Sequence, residues 1–246
     1  MLNKLFTTMS LVKYEELLIK KIQIIFGSPK NHVELIKFGK MLTQQSTHVL
    51  LLRLAIIFKT IILSVIIPFY INSLYPITGL NLIIQIIYFI LKAIWDYITI
   101  NLILQFSRFA NKFVKNLFQI KRPYVLNDSL ENVTIKKDKS KSYSFPSNSI
   151  QNSYVYYSIL FIYLVPSYLY VRLFVVGIIC SIIGFIKLLR ALHYPHDIVV
   201  ALIIGYLIVL AYQNFILFFP FSITHFGLYK EVIIRFFINY FPQIDY

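Results

Sequence analysis

One cysteine in 246 residues, Cys180, excludes a disulfide framework within the chain, and its place inside an apolar run reads as a small core hydrophobe. Glycine is scarce too. Seven glycines stand against 22 phenylalanines and 19 tyrosines, so close helix packing through small residues has little to work with. Charge is short in total, 14% of residues, and acidic charge is shortest, ten Asp and Glu against 24 Lys and Arg. With 58% hydrophobic residues and a mean hydropathy of +0.71, the chain is more apolar than the ~45–50% of a soluble domain, and it reads as an integral membrane protein. The basic residues, net +14, are not interleaved with a soluble aromatic platform. That speaks against nucleic acid and for membrane lipids and phosphate as partners.

What is present divides into apolar runs separated by polar islands. Residues 1–48 carry apolar positions at helical spacing with Lys13, Glu15 and Glu16 among them, which reads as a cytosolic or membrane-surface amphipathic helix and not as a cleavable signal. Lys20, Lys21, Lys30, Lys37 and Lys40 make this end basic, hence cytosolic. Apolar runs follow at 49–71, 80–95, 97–114, 150–170, 171–189 and 197–221, each near the ~20 residues that span a bilayer. The expected fold is all-α: a six-span transmembrane bundle over residues 49–221, with a second amphipathic surface helix in the tail, 222–246. Between the third and fourth runs lies a hydrophilic loop with two glycosylation triplets, at Asn127 and Asn132, and a lysine run, Lys136, Lys137, Lys139 and Lys141. Three crossings from a cytosolic N-terminus put that loop in the lumen.

The polar islands at the span ends hold the chemistry. In the last, KLLRALHYPHD, His193 and Asp197 are four apart, a spacing at which a carboxylate orients an imidazole, and Pro195 suits the first turn of a helix. Lys187 and Arg190 add positive charge, which suits a phosphate ester better than a carbonyl substrate. In the first island Lys115 and Arg122 can reach a phosphate, Arg with a bidentate fork. In the second, Pro146, Ser147 and Asn148 open a helix whose N–H groups and serine hydroxyl form an anion site. By the crossing count all three islands face one side.

These residues resemble the phosphatidic acid phosphatase and vanadium haloperoxidase superfamily, in its six-span lipid phosphatase branch, similar to sphingosine-1-phosphate phosphatases. K-x6-R-P is matched by Lys115, Arg122 and Pro123, and H-x3-D by His193 and Asp197. The resemblance implies that His193 attacks phosphorus to give a phosphohistidine, that Asp197 orients it, and that Lys115, Arg122 and Ser147 hold the phosphoryl oxygens. It implies no metal ion or other cofactor. Two motifs depart from the pattern. P-S-G-H reads Pro146-Ser147-Asn148-Ser149, so Ser149 stands where the family histidine protonates the leaving group. S-R reads Ile186-Lys187, leaving a lysine for the third phosphate-binding arginine, with Arg190 one turn on as its stand-in. His196 is the candidate substitute acid.

Three functions follow. The first is a metal-independent lipid phosphate phosphatase of the endoplasmic reticulum, with a luminal site, acting on a sphingoid-base phosphate or phosphatidate; a dolichyl-type diphosphate is the alternative substrate because its leaving group needs no acid. The second is a catalytically impaired homologue that binds lipid phosphates. The third is a channel or transporter in which Lys59 and Asp96 are the functional charges.

Overall fold

The computed structural model describes residues 9–62, 79–127, 129–130, 143–164 and 169–218. Asn132, the lysines at 136, 137, 139 and 141, and the tail 222–246 lie outside them. In chain order the helices are α1 (Met9–Phe26), α2 (Val33–Thr43), α3 (Gln45–Ile61), α4 (Gly79–Phe118), the short α5 (Pro123–Leu126), α6 (Asn148–Leu164), α7 (Leu169–Leu189) and α8 (Pro195–Phe218). A 3₁₀ turn, Pro29–His32, joins α1 to α2. No strand occurs among the described residues.

The chain divides into two compact units, Met1–Ala55 with Thr99–Val209, and Ile56–Ile98 with Leu210–Tyr246. In the first, α6 and α7 pack together and α2 packs on both. Ile150, Ile183 and Ala201 form a buried cluster, with Leu42, Ile179, Ile198 and Leu202 against it. Gly39 lets α2 approach α7: a Cβ there would stand 2.6 Å from Ile186 Cδ1 and 3.2 Å from its Cγ2. In the second unit the described polar contact is Lys92 to Asp96, 3.3 Å apart one turn along α4. Lys59 lies within electrostatic reach of both.

Two expectations change. The second and third spans, divided in the sequence at Asp96, are one continuous helix, because Lys92 neutralises Asp96 within the helix and no residue there breaks it. Its 40 residues run for ~60 Å of helix without a break. Among the described residues, Leu169–Leu189 and Pro195–Asn214 are the two stretches that are long and apolar enough to cross a membrane. The second change concerns α1, which was expected on the membrane face opposite the polar islands. It lies against them. Ile19 is fully buried with Leu130, Ala191 and Tyr194, with Val12 packed alongside, while Leu11, Leu17, Ile24 and Ile25 remain exposed. The physical reason is that α1 has two apolar faces, and the one carrying Glu15 is covered by protein.

Candidate active site

Four helix ends meet at one end of the first unit, and each ends for a local reason. The C-terminal turns of α4 carry Arg108, Lys112 and Lys115, spaced i, i+4, i+7 and so on one face. The helix stops at Gln119, which adopts φ 50° while its N–H bonds the Lys115 carbonyl, the αL ending of a helix. The chain then delivers Arg122 as the residue before α5, with Pro123 in its first turn. Helix α7 ends in a Schellman motif. Ala191 takes φ 48°, its N–H bonds Leu188 O at 2.8 Å, and Leu192 N–H bonds Lys187 O at 3.0 Å. That reversal sets Lys187 and Arg190 beside His193.

The H-x3-D spacing has a structural origin. Tyr194 caps α8 and Asp197 is its third helical residue; the Asp197 carboxylate reaches back to accept the Tyr194 N–H at 2.8 Å, as in a capping box. The same Oδ2 accepts the Ser144 hydroxyl and lies 3.4 Å from His193 Nδ1. That last distance is a contact that a hydrogen bond can tighten when substrate binds. Asp197 is fully buried.

Around His193 is a cavity of about 640 Å³, whose charged lining is Arg108, Lys112, Lys115, Arg122, Lys187 and Arg190, with no carboxylate and no second imidazole among the described residues. Six cations on a wall that carries no carboxylate among the described residues make a site for an anion with several oxygens. Lys115 donates to the carbonyls of Tyr143 and Ser144, at 2.8 and 3.3 Å, which aims its stem along the wall. Burial and the nearby Arg122 lower its ammonium to about 8, against the pull of Asp197. Burial and Arg122 also push the Arg190 guanidinium down. Burial lowers His193 to about 4, with Asp197 opposing and Lys187 and Lys115 assisting, so the imidazole is neutral at physiological pH, the state a nucleophile needs.

The structure thus brings Lys115, Arg122, Ser149, Lys187, Arg190 and His193 to one cavity, with Asp197 directly behind. Ser147 is not on the wall. It is fully buried, its N–H bonds the Asp197 carbonyl at 3.2 Å, and its hydroxyl has no hydrogen-bond partner among the described residues. His196 is also off the wall, between Glu15 and Asp197 and stacked on Tyr194. Sequence reasoning missed Arg108 and Lys112, absorbed there into a span; their helical register with Lys115 was the available signal. It also missed Ser144, and His48, which lines a smaller cavity of about 180 Å³ that shares Arg108, Asn148 and Ser149 with the first. The His48 ring stacks on Tyr156 at 4.2 Å and its Nε2 is engaged by the Leu42 carbonyl.

The family model of the PAP2 superfamily matches residues 93–219, which hold every cavity-lining residue around His193. No curated protein and no solved structure matches the chain.

Proposed function

This chain belongs to the PAP2 superfamily, whose members are phosphatases acting on phosphate esters, and on that premise we propose that it hydrolyses a membrane lipid phosphate through a phosphohistidine on His193. The observation that carries the reading is the neutral, carboxylate-backed His193 at the wall of a cavity lined by six cations. His193 Nε2 attacks phosphorus in line with the leaving oxygen. The P–O bond to the lipid breaks, and the electron pair leaves on that oxygen. Charge on the three equatorial oxygens is met by Lys115, Arg122, Lys187 and Arg190, with Arg108 and Lys112 at the same wall, while Asp197 stabilises the cation growing on the imidazole. Water then attacks phosphorus, breaks the P–N bond and releases phosphate and free His193.

The second reading concerns the leaving group. Ser149 cannot protonate an alkoxide near neutral pH, and no carboxyl group or second imidazole lines the cavity among the described residues to replace the family histidine. With a lipid diphosphate His193 takes the terminal phosphoryl group and the lipid monophosphate leaves, already a weak base, so this wall favours diphosphates over monophosphates. Sidedness follows from α1. Its Lys13, Lys20 and Lys21 share a face with the cationic cavity, and the positive-inside rule turns that face to the cytosol.

The test is release of inorganic phosphate by purified protein in micelles, from phosphatidate, sphingosine-1-phosphate and a polyprenyl diphosphate, beside His193→Ala. His193-dependent release, largest for the diphosphate, is expected. Its absence from all three would leave a protein that binds lipid phosphates without turning them over. Glycan acceptors engineered into the N-terminal segment and beside Asn127 should behave alike in microsomes, both unmodified; modification of one alone would overturn the shared face.

A further inference from the structure

The Glu15 carboxylate comes from α1, outside the residues the family model matches, yet it is buried against the nucleophile's turn. It makes two contacts with His196: Oε1 accepts the backbone N–H at 3.2 Å, and Oε2 lies 2.6 Å from Nδ1. The first satisfies a donor in the opening turn of α8 that the helix itself cannot. The second fixes the ring. Across it, His196 Nε2 stands 3.2 Å from Asp197 Oδ1, while Asp197 Oδ2 faces His193. Both nitrogens of one imidazole therefore face carboxylate oxygens: Nδ1 is hydrogen-bonded to Glu15, while Nε2 and Asp197 Oδ1 lie at ion-pair distance without a hydrogen bond between them, so that link is charge facing charge. Tyr194 stacks on that ring at 5.4 Å, interplanar angle 9°, and Phe145 lies 5.7 Å away on α6's approach, so the ring has little freedom to turn.

Glu15 is held in place independently of His196. Gln23, two turns on, donates to Leu189 O at 2.8 Å, and Glu16 takes Asn127 Nδ2 at 3.1 Å. Both contacts, with the Ile19 cluster, dock α1 on the ends of α7 and the 127–130 segment. The groups facing His196 are then Glu15 from α1, Asp197 from α8, Tyr194 before it and Phe145 before α6.

We propose that Glu15 and His196 are positioning residues for the phosphatase reaction, forming a chain Glu15–His196–Asp197–His193 through which the N-terminal helix sets the Asp197 carboxylate that orients the nucleophile. His196 is thereby given a role other than that of a substitute acid: it faces away from the leaving group. Without the Glu15 charge, Asp197 faces the His196 ring unbalanced, and its hold on His193 Nδ1 weakens. Small displacement of an orienting group costs ~10–100-fold in rate.

The inference rests on the phosphatase reading, and its test separates the two. In full-length protein, Glu15→Gln keeps an oxygen for the His196 N–H and removes the charge. It should lower kcat ~10-fold or more on the best substrate of the panel, with KM changed less than twofold, and Glu15→Asp should recover part of the loss. His196→Gln serves if Glu15→Gln does not fold, with the same expectation; the pair together should lose no more than the worse single variant. Glu34→Gln, which removes an exposed carboxylate paired with Lys37 on α2 and leaves α1 untouched, should leave kcat within twofold. A kcat unchanged in both Glu15→Gln and His196→Gln, or a change confined to KM, overturns the positioning role while the phosphatase stands. If wild type shows no His193-dependent hydrolysis, the reading fails, and orthovanadate, which takes the five-coordinate geometry of a phosphoryl group in transfer, tests the chain alone. Its affinity should fall ~10-fold in Glu15→Gln; equal affinity, or none in wild type, overturns the inference.

Discussion

Two helix starts meet at the cavity, joined by the Ser147 N–H and the Asp197 carbonyl, and they are built differently. At α8 the cap N–H is taken by Asp197, the next open N–H by Glu15, and the histidine before the helix rests on the same carboxylate. At α6 the Ser147 hydroxyl caps nothing, the exposed Asn148 is tied to Asn152 at 2.9 Å, and Ser149 has no ionisable group. One start is saturated with carboxylates and positions a nucleophile; the other presents amide and hydroxyl to the cavity and positions no acid. On the phosphatase reading, phosphate binding, attack and proton donation are separable parts of this scaffold, and the residues for the first two are the ones retained.

The comparison breaks most sharply at the nucleophile. His193→Ala should abolish turnover of every substrate, a loss of ~10⁴–10⁶ of the kind seen when one member of a nucleophile set is removed, measured as phosphate release at saturating lipid. Residual turnover within ~100-fold of wild type would mean that α8 is not the reacting end. Next in size is the other helix start. Asn148→Gly with Ser149→His should raise monophosphate turnover by something approaching the ~10²–10⁴ worth of a general acid, and diphosphate turnover by much less. The glycine is included because the Asn148 side chain sits at the cavity wall where backbone would approach phosphate. An equal gain for both substrates would show that the change acts on binding and not on the leaving group.

These two walls were not equally legible in the sequence. His193, Asp197, Lys115 and Arg122 were readable because short spacings fix them: a capping carboxylate must lie three residues past the cap, and a lysine and arginine separated by six residues straddle one helix end. Ser147 was misplaced since only the fold shows whether a serine at a helix start looks outward. Arg108 and Lys112 were hidden by the apolar residues around them, which drew both into an expected span and away from the list of site residues. Asp96 divided one helix into two because its partner Lys92 was not credited with neutralising it. Glu15 was unreadable in a different way. Nothing in α1 alone distinguishes a face that lies on lipid from one that lies on His196, 181 residues on.

Smaller effects sharpen the account of the cations. Arg122→Lys keeps the charge and removes the fork, so kcat/KM should fall ~10-fold, about 1.4 kcal/mol of transition-state contact. Arg108→Ala, on an exposed position of the cavity rim, should cost only about two- to threefold, since an exposed charge is screened. The reverse order, Arg108 outweighing Arg122, would move the phosphate toward the mouth of the cavity and away from His193.

The smallest change is a shift of a pH limb, and it reports on both helix starts at once. The free enzyme needs His193 neutral and Lys115 charged. His193 lies near 4 because burial disfavours its cation, so kcat/KM should fall only as the pH drops through about 4. Lys115 lies near 8 because burial and Arg122 disfavour its charge, so activity should also fall as the pH rises through about 8. Between those limits no proton donor to the leaving group adds a limb of its own, so monophosphates and diphosphates should share one profile. In the Asn148→Gly, Ser149→His protein the new imidazole must carry its proton, so the high-pH limb for monophosphates should move down toward ~6.5. Diphosphates should keep theirs near 8, their departing phosphate needing no proton. A high-pH limb near ~6.5 present for monophosphates and absent for diphosphates in the unaltered protein would contradict this. It would direct attention to His48, the imidazole in the chamber beside Ser149, as an acid reaching the leaving group from there, and His48→Gln would then remove that limb.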